Sequence, residues 1–209
     1  MTNMDELVTY FTQKAQAVSA VVAEVNELRQ AFEYTVDLCD RKEACQLLLA
    51  GCEAPLSPAA GELCQRRQDK IIAAPGLDAA NYQELDTLCR NKGLTLIRDD
   101  LRGYLAGIDI GLTVIDYGIA ETGTLVLNSN NEEVRLATMI SEIHVAVLPK
   151  SRLRQSSTDL EKELEAMMRM RPGYTAFITG ASRTADIERV LALGVHGPLE
   201  LHILLWEDR

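Results

Sequence analysis

Apolar residues recur along the first part of the chain at the spacing of an amphipathic helix. A series at intervals of three and four runs from Leu7 through Phe11 to Val25, and it predicts a helix over residues 4–26. Further helices are predicted over 27–38, 41–50 and 59–67. Residues 1–66 are therefore expected to form an N-terminal helical segment packed on the domain that follows.

After Lys70, short apolar runs alternate with helical patterns. The runs predict strands over 71–76, 94–100, 111–116, 124–128, 144–149, 174–179 and 199–206. Helices are predicted over 79–92, 101–106, 133–140, 156–170 and from about 185 to 193. Asp78 is predicted to cap the first of these helices, and Thr158 with Glu161 to form a capping box on the fourth. This alternation predicts an α/β domain over 67–209, with a mostly parallel sheet and helices on both faces.

The last predicted strand, turn, helix and strand read as one βαβ unit over 174–206. In an open α/β sheet, ligands bind beyond the carboxyl ends of the strands, often at a helix N-terminus. The turn that begins at Gly180 would lie at such a place.

Composition narrows the classes of function. The 209 residues are 47% hydrophobic and carry a net charge of −10, which disfavours nucleic acid and anionic membrane surfaces as partners. No apolar run approaches the roughly 20 residues that span a bilayer, and the first residues lack a secretory pattern. The cytoplasm is the expected compartment.

The five cysteines, at 39, 45, 52, 64 and 89, are odd in number and form no Cys-x-x-Cys pair. A disulfide framework, a tetrahedral metal site or an iron–sulfur site usually needs closer or paired spacing. We expect reduced, partly buried thiols and no metal or cofactor.

The standard catalytic signatures are absent from the sequence, which leaves each of the three histidines as a separate candidate. His144 and His202 lie inside apolar strands, which favours hydrogen-bonded histidines in the core or at a sheet edge. His196 lies in a glycine-rich turn, where packing does not require an imidazole. A structural turn and a role in proton transfer stay open for it.

Two polar segments remain as candidate sites. The first segment, over 180–186, offers the backbone N–H groups of a helix start, two hydroxyls and a guanidinium. These groups suit a phosphate or a carboxylate, although ordinary helix capping explains them too. Its members are Gly180, Ser182, Arg183, Thr184 and Asp186.

The second segment follows the strand 111–116 and precedes the strand 124–128. Its members are Asp116, Glu121, Thr122, Gly123 and Thr124. A hairpin with Gly123 at positive φ explains the glycine and the polarity. Paired carboxylates at such a sheet edge are also candidates for acid–base work or for binding substrate hydroxyls.

Together, GIAETGTLVL (118–127) and ITGASRTADIERVLALGVHGP (178–198) resemble the signature segments of the lactate-utilization protein C family, whose domain is the LUD domain. The resemblance covers essentially the whole chain. One departure is Ala181, where members of the family often have proline; the neighbouring Ser182, Arg183 and Thr184 are retained.

The resemblance implies a fold similar to the CoA-transferase and sugar-phosphate-isomerase group. It implies a role in oxidation of L-lactate to pyruvate, as an accessory non-redox subunit beside partner proteins that carry iron–sulfur clusters. The chain would bind an organic acid or another anionic ligand through 116–124 and 180–196, with Glu121 and His196 as the catalytic candidates. The alternatives are a free-standing CoA-transferase-like enzyme or a regulatory binder acting on a sugar phosphate or an acyl-CoA. The sequence leaves a homo-oligomer open.

Overall fold

The architecture was taken from a computed structural model, which describes residues 4–43, 57–59, 62, 69–104, 107–184, 192–193 and 197–209. Its α-helices are α1 (Met4–Ala17), α2 (Leu28–Arg41), α3 (Ala79–Asn91), α4 (Glu132–Met139) and α5 (Glu161–Arg169). Within these residues, none of the helices combines the length and the apolarity that crossing a membrane requires. Short 3₁₀ turns lie at Leu101–Gly103, Lys150–Arg152 and Ser157–Leu160.

The strands found in the described residues belong to three sheets. In chain order they are β1 (Val21–Val25), β2 (Ile71–Ala73), β3 (Thr95–Ile97), β4 (Ile108–Val114), β5 (Tyr117–Ile119), β6 (Thr124–Asn128), β7 (Ser141–Pro149), β8 (Leu153–Arg154), β9 (Thr175–Ile178), β10 (Arg183–Thr184), β11 (Ala192–Leu193) and β12 (Glu200–Trp206).

The main sheet has six strands in the order β1-β12-β7-β4-β2-β3, and each neighbouring pair is parallel. Most side chains of its central strands are apolar on both faces because helices or a second sheet cover each side. Alternate residues of β7 go to different cores: Val145 and Val147 face α2 and α3, whereas Ala146 and Leu148 face α1. The prediction of a mostly parallel sheet covered on both faces is confirmed.

A second sheet, β8-β5-β6-β9, covers part of the α1 side of the main sheet. Its β5–β6 and β6–β9 pairs are antiparallel, while β5 and β8 are parallel. Alternation along β6 decides what it covers: Leu125 and Leu127 face the main core, and Val126 packs with Leu160 and Met167 on the outer side. The polar segment 116–124 therefore belongs largely to this second sheet, and its turn residues Glu121 and Thr122 are exposed.

The predicted helix over 4–26 is too long. It ends at Ala17, and Ser19 adopts a positive φ of 64° that turns the chain. Residues 21–25 then form β1, an edge strand of the main sheet parallel to β12. The valines of this stretch satisfy helical spacing, but their β-branched side chains equally suit a strand.

The other predictions for the N-terminal segment have mixed outcomes. The helix predicted over 27–38 is found as α2, whereas most of 41–50 and of 59–67 lies outside the described residues. The predicted boundary between 66 and 67 also lies outside them, so it stays a prediction.

The predicted βαβ unit over 174–206 is wrong. β9 pairs antiparallel with β6 in the second sheet, whereas β12 lies between β1 and β7 in the main sheet. β9 is an edge strand on which Phe177 is 55% exposed. A hydrophobic run predicts a strand, but it carries no information about the sheet that the strand joins.

Local helix signals were mostly correct. Asp78 caps α3 by accepting hydrogen bonds from the backbone N–H groups of Ala80 and Asn81, both at 3.0 Å. Before α5, however, the capping box joins Ser156 to Asp159 and not Thr158 to Glu161. The chain begins a 3₁₀ turn there, which moves the cap two residues towards the N-terminus.

Two cysteines lie in the core between the main sheet and its covering helices. Cys39 on α2 and Cys89 on α3 are free and fully buried. Burial raises the pKa of each thiol to about 12, so both stay protonated at neutral pH. Cysteines 45, 52 and 64 lie outside the described residues.

Candidate functional site

The polar segment 116–124 forms the hairpin that the sequence predicts. β5 and β6 pair antiparallel with Ile119 opposite Thr124, and Gly123 in the turn has a φ of 66°. A Cβ at Gly123 would lie 2.4 Å from the backbone nitrogen of Ala15 on α1. Glycine is needed there for its backbone conformation and for the close approach of the helix.

Pairing between β6 and β9 brings the two candidate segments together. Leu125 faces Ile178, so Thr124 and Thr179 lie next to each other at the end of the ladder. Their hydroxyl oxygens are 2.7 Å apart, and the Thr122 hydroxyl is also 2.7 Å from that of Thr124. A chain of three hydroxyls, Thr122–Thr124–Thr179, therefore joins segments that lie more than fifty residues apart in the sequence.

The polar segment that begins at Gly180 turns sharply after β9. Gly180 has a φ of 75°, and a Cβ there would lie 2.4 Å from the carbonyl oxygen of Val18. The Ser182 N–H donates to the Pro198 carbonyl at 3.0 Å, which holds the start of the segment against the residues before β12. Arg183 and Thr184 then form β10, opposite Leu193 and Ala192 of β11.

Asp186, His196 and the predicted helix start at Ala185 lie outside the described residues. The structure therefore brings Thr122, Thr124 and Gly180 of the predicted set into one neighbourhood, through Thr179.

Each of the two candidate carboxylates has a hydrogen-bond partner in the fold. The Asn128 N–H donates to Asp116 Oδ2 at 2.6 Å, and Arg152 Nη1 lies 3.8 Å from Asp116 Oδ1. Burial raises the pKa of Asp116, against the opposing effects of these two neighbours. Asp116 thus links the end of β4 to the end of β6.

Glu121 binds Ser157, in the 3₁₀ turn that precedes α5. Its Oε1 accepts from the Ser157 N–H at 3.0 Å and lies 3.4 Å from the Ser157 hydroxyl. This contact anchors the 3₁₀ turn that precedes α5. Asp116 and Glu121 therefore have different partners, and both hold the hairpin in place.

His144 is a hydrogen-bonded core histidine, as the sequence predicts, but its position beside the candidate segment was not predicted. This histidine lies on β7, is 1% exposed, and its Nε2 is 2.8 Å from the hydroxyl oxygen of Thr113 on β4. Burial lowers its pKa to about 4, so the ring is neutral at pH 7. Its place in the alternation of β7 puts it on the same face as Ala146 and Leu148, towards the second sheet.

His144 also lines a small cavity of about 20 Å³ at the candidate site. Gly180, Ala181 and Ser182 form part of the same wall, together with Thr138 and Pro198. The period-two pattern of β7 could have indicated the face of His144. Its proximity to 180–182 depends on packing between sheets, which the sequence pattern does not contain.

Part of this chain is similar to curated proteins of two bacteria. A "Lactate utilization protein C" of Halalkalibacterium halodurans is 42% identical over 104 residues, which is 48% of this chain and 45% of that protein. A "Lactate utilization protein C 1" of Bacillus mycoides is 31% identical over 138 residues, or 64% of this chain and 58% of that protein. The chain spans about half the length of the curated relatives it matches.

A solved structure shares the fold. The crystal structure of a DUF162 family protein from Deinococcus radiodurans covers 99% of both chains with a TM-score of 0.55 and 15% identity. The sequence pattern of the LUD domain matches residues 8–206, from α1 to the end of β12. This match includes both candidate segments and nearly every described element, and the chain therefore belongs to the LUD domain family.

Proposed function

We propose that this chain is an accessory, non-redox subunit in the oxidation of L-lactate to pyruvate, and that it binds an anionic organic acid. The observation that carries the proposal is the hydroxyl chain Thr122–Thr124–Thr179, which joins the two candidate segments. The names of the relatives in Halalkalibacterium halodurans and Bacillus mycoides supply the pathway.

The chemistry of the proposed site suits a small carboxylate. Hydroxyls and the backbone N–H groups of a tight turn donate hydrogen bonds, and Arg183 supplies the guanidinium of this segment. A guanidinium binds a carboxylate with two parallel hydrogen bonds, which lysine cannot do. In this proposal Arg183 binds the carboxylate, the threonine hydroxyls orient it, and His196 is the candidate for proton transfer.

Ligand-induced stabilisation tests the binding site. We expect L-lactate or pyruvate to raise the melting temperature of the isolated protein. At a ligand concentration of 100 Kd the gain is about 2.7 kcal/mol, which corresponds to roughly 5–10 °C for a domain of this size.

The decisive variant is Arg183→Ala, which should fold normally and lose this shift. Arg90→Ala is the matched control because Arg90 lies on the exposed side of α3, paired only in an i,i+4 bridge with Asp86 among the described residues. The control should keep the full shift. A full shift in Arg183→Ala would refute the assignment of the site.

The proposed accessory role also requires partner proteins. We propose that iron–sulfur proteins carry the electrons, and that this chain associates with them. Affinity purification from lactate-grown cells, followed by iron analysis and a lactate-oxidation assay, tests this. Lactate-dependent electron transfer that is lost when this chain is omitted supports the role. Recovery of the chain alone, without iron, contradicts it.

A further inference from the structure

Two polar side chains are buried next to each other in the middle of the main sheet. Thr113 on β4 and His144 on β7 are each 1% exposed, and they lie on neighbouring parallel strands. The Thr113 hydroxyl oxygen and His144 Nε2 are 2.8 Å apart. Among the described residues, neither side chain has another hydrogen-bonding partner.

The Thr113–His144 pair lacks one hydrogen-bond acceptor. Between them the two side chains carry two polar hydrogens, one on the hydroxyl and one on the neutral imidazole. If Nε2–H donates to the hydroxyl oxygen, the hydroxyl hydrogen and the Nδ1 lone pair are both left without partners. If the hydroxyl donates to Nε2, only Nδ1–H is left. The second arrangement leaves fewer buried polar groups unsatisfied, so it is favoured.

The cavity next to the imidazole can supply the missing acceptor. Its volume of about 20 Å³ is enough for one water-sized group. Ser182 contributes a hydroxyl to the wall, and Thr138, whose own hydroxyl donates to the Arg135 carbonyl at 2.8 Å, can still accept. An occupant could therefore accept from the imidazole and donate to an oxygen of the wall.

The charge of the occupant follows from its surroundings. The imidazole is neutral, and no Lys, Arg, Asp or Glu is among the residues that line the cavity in the described part of the chain. A carboxylate placed there would lose its hydration without a cation to compensate. An uncharged oxygen satisfies Nδ1–H without that cost.

We propose that His144 Nδ1–H, at the wall of the cavity that Gly180–Ser182 also line, binds a single uncharged oxygen. The oxygen belongs to a water molecule or to the hydroxyl group of a bound 2-hydroxy acid. The second source rests on the proposed function, because only then does a ligand occupy the neighbouring segment. The site would distinguish a hydroxyl from a charged group at the same position.

The test is nitrogen-15 NMR of the histidine rings in the full chain without ligand. We expect the His144 ring to be the neutral tautomer with the proton on Nδ1, and this proton to show a cross-relaxation contact with one long-lived water. Thr113→Val removes the hydroxyl that fixes the tautomer, so this variant should show a mixture of tautomers. A wild-type ring with the proton on Nε2 would overturn the proposal.

Addition of L-lactate distinguishes the two sources of the oxygen. If the ligand hydroxyl enters the cavity, the Nδ1 resonance shifts and the water contact disappears. If the water contact persists in saturating lactate, the oxygen is a resident water. A protonated Nδ1 with neither a water contact nor a response to lactate would also overturn the proposal. The ligand-free spectrum and the thermal shift of Arg183→Ala are separate readouts, so failure of one is distinguishable from failure of the other.

Discussion

The stability of the protein should fall steeply below pH 6.5 because of His144. The buried ring is neutral in the folded chain, where burial lowers its pKa from 6.5 to about 4. The unfolded chain exposes the ring to water and binds a proton at the ordinary pKa. Below pH 6.5 the unfolded state therefore gains a proton that the folded state does not accept, and unfolding is favoured.

The size of the effect follows from the two pKa values. The full difference between 6.5 and about 4 corresponds to about 3 kcal/mol of stability, present above pH 6.5 and lost by the time the pH falls below 4. At pH 5, which lies between the two pKa values, about 2 kcal/mol of this stability is already lost relative to pH 8. With a urea dependence of about 2 kcal/mol per molar, this lowers the unfolding midpoint by about 1 M.

His144→Gln isolates this contribution. Glutamine does not titrate, and its amide can still hydrogen-bond to the Thr113 hydroxyl. The variant loses some stability at every pH, but all other titrating groups are shared with the wild type. We expect the free-energy difference between the two proteins, measured by urea unfolding, to shrink by about 2 kcal/mol from pH 8 to pH 5. A difference that is constant over this range would refute the assignment of a buried, neutral imidazole.

Two further predictions concern the hairpin. Gly123→Ala should destabilise the protein by about 2–4 kcal/mol, since it adds positive-φ strain and a 2.4 Å approach to Ala15. The control is Gly93→Ala: Gly93 has a φ of 68° and open space around it, so this change adds only about 1–2 kcal/mol of strain. Equal urea midpoints for the two variants would contradict the contact between Gly123 and α1. Asp116→Asn should be more stable than the wild type at pH 7, because burial raises the Asp116 pKa and an amide oxygen can still accept from Asn128. This advantage should disappear on acidification below pH 4, as the wild-type carboxyl gains its proton; a less stable variant at pH 7 would refute it.

Periodicity predicted most of the elements because each depends on neighbours within one turn or one strand. The helix from Ala79 is an example, since its cap at Asp78 and its apolar stripe are both local. The helix over 4–26 failed at Ser19, where one positive-φ residue turns the chain and begins β1. A valine-rich stretch satisfies two periods, and only its pairing with β12 decides between them.

The candidate site was predictable to the extent that it consists of short motifs. The hairpin at Gly123 was recognisable from its glycine and its polar neighbours, and its geometry agrees with that prediction. The contribution of Thr179 was not recognisable, because it depends on pairing between β6 and β9 across some fifty residues. His144 looked like an ordinary core histidine for the same reason, since its cavity belongs to the packing of the second sheet on the main sheet.

The N-terminal corner links these observations. The end of α1 and the turn after it contact both glycines of the candidate segments: Ala15 lies against Gly123, and the carbonyl of Val18 lies against Gly180. The same turn leads into β1, which pairs with β12 and so extends the main sheet. A change that moved this corner would therefore move the hairpin, the Gly180 turn and the edge of the sheet together. For this reason residues 4–25 are part of the structure that positions the candidate site.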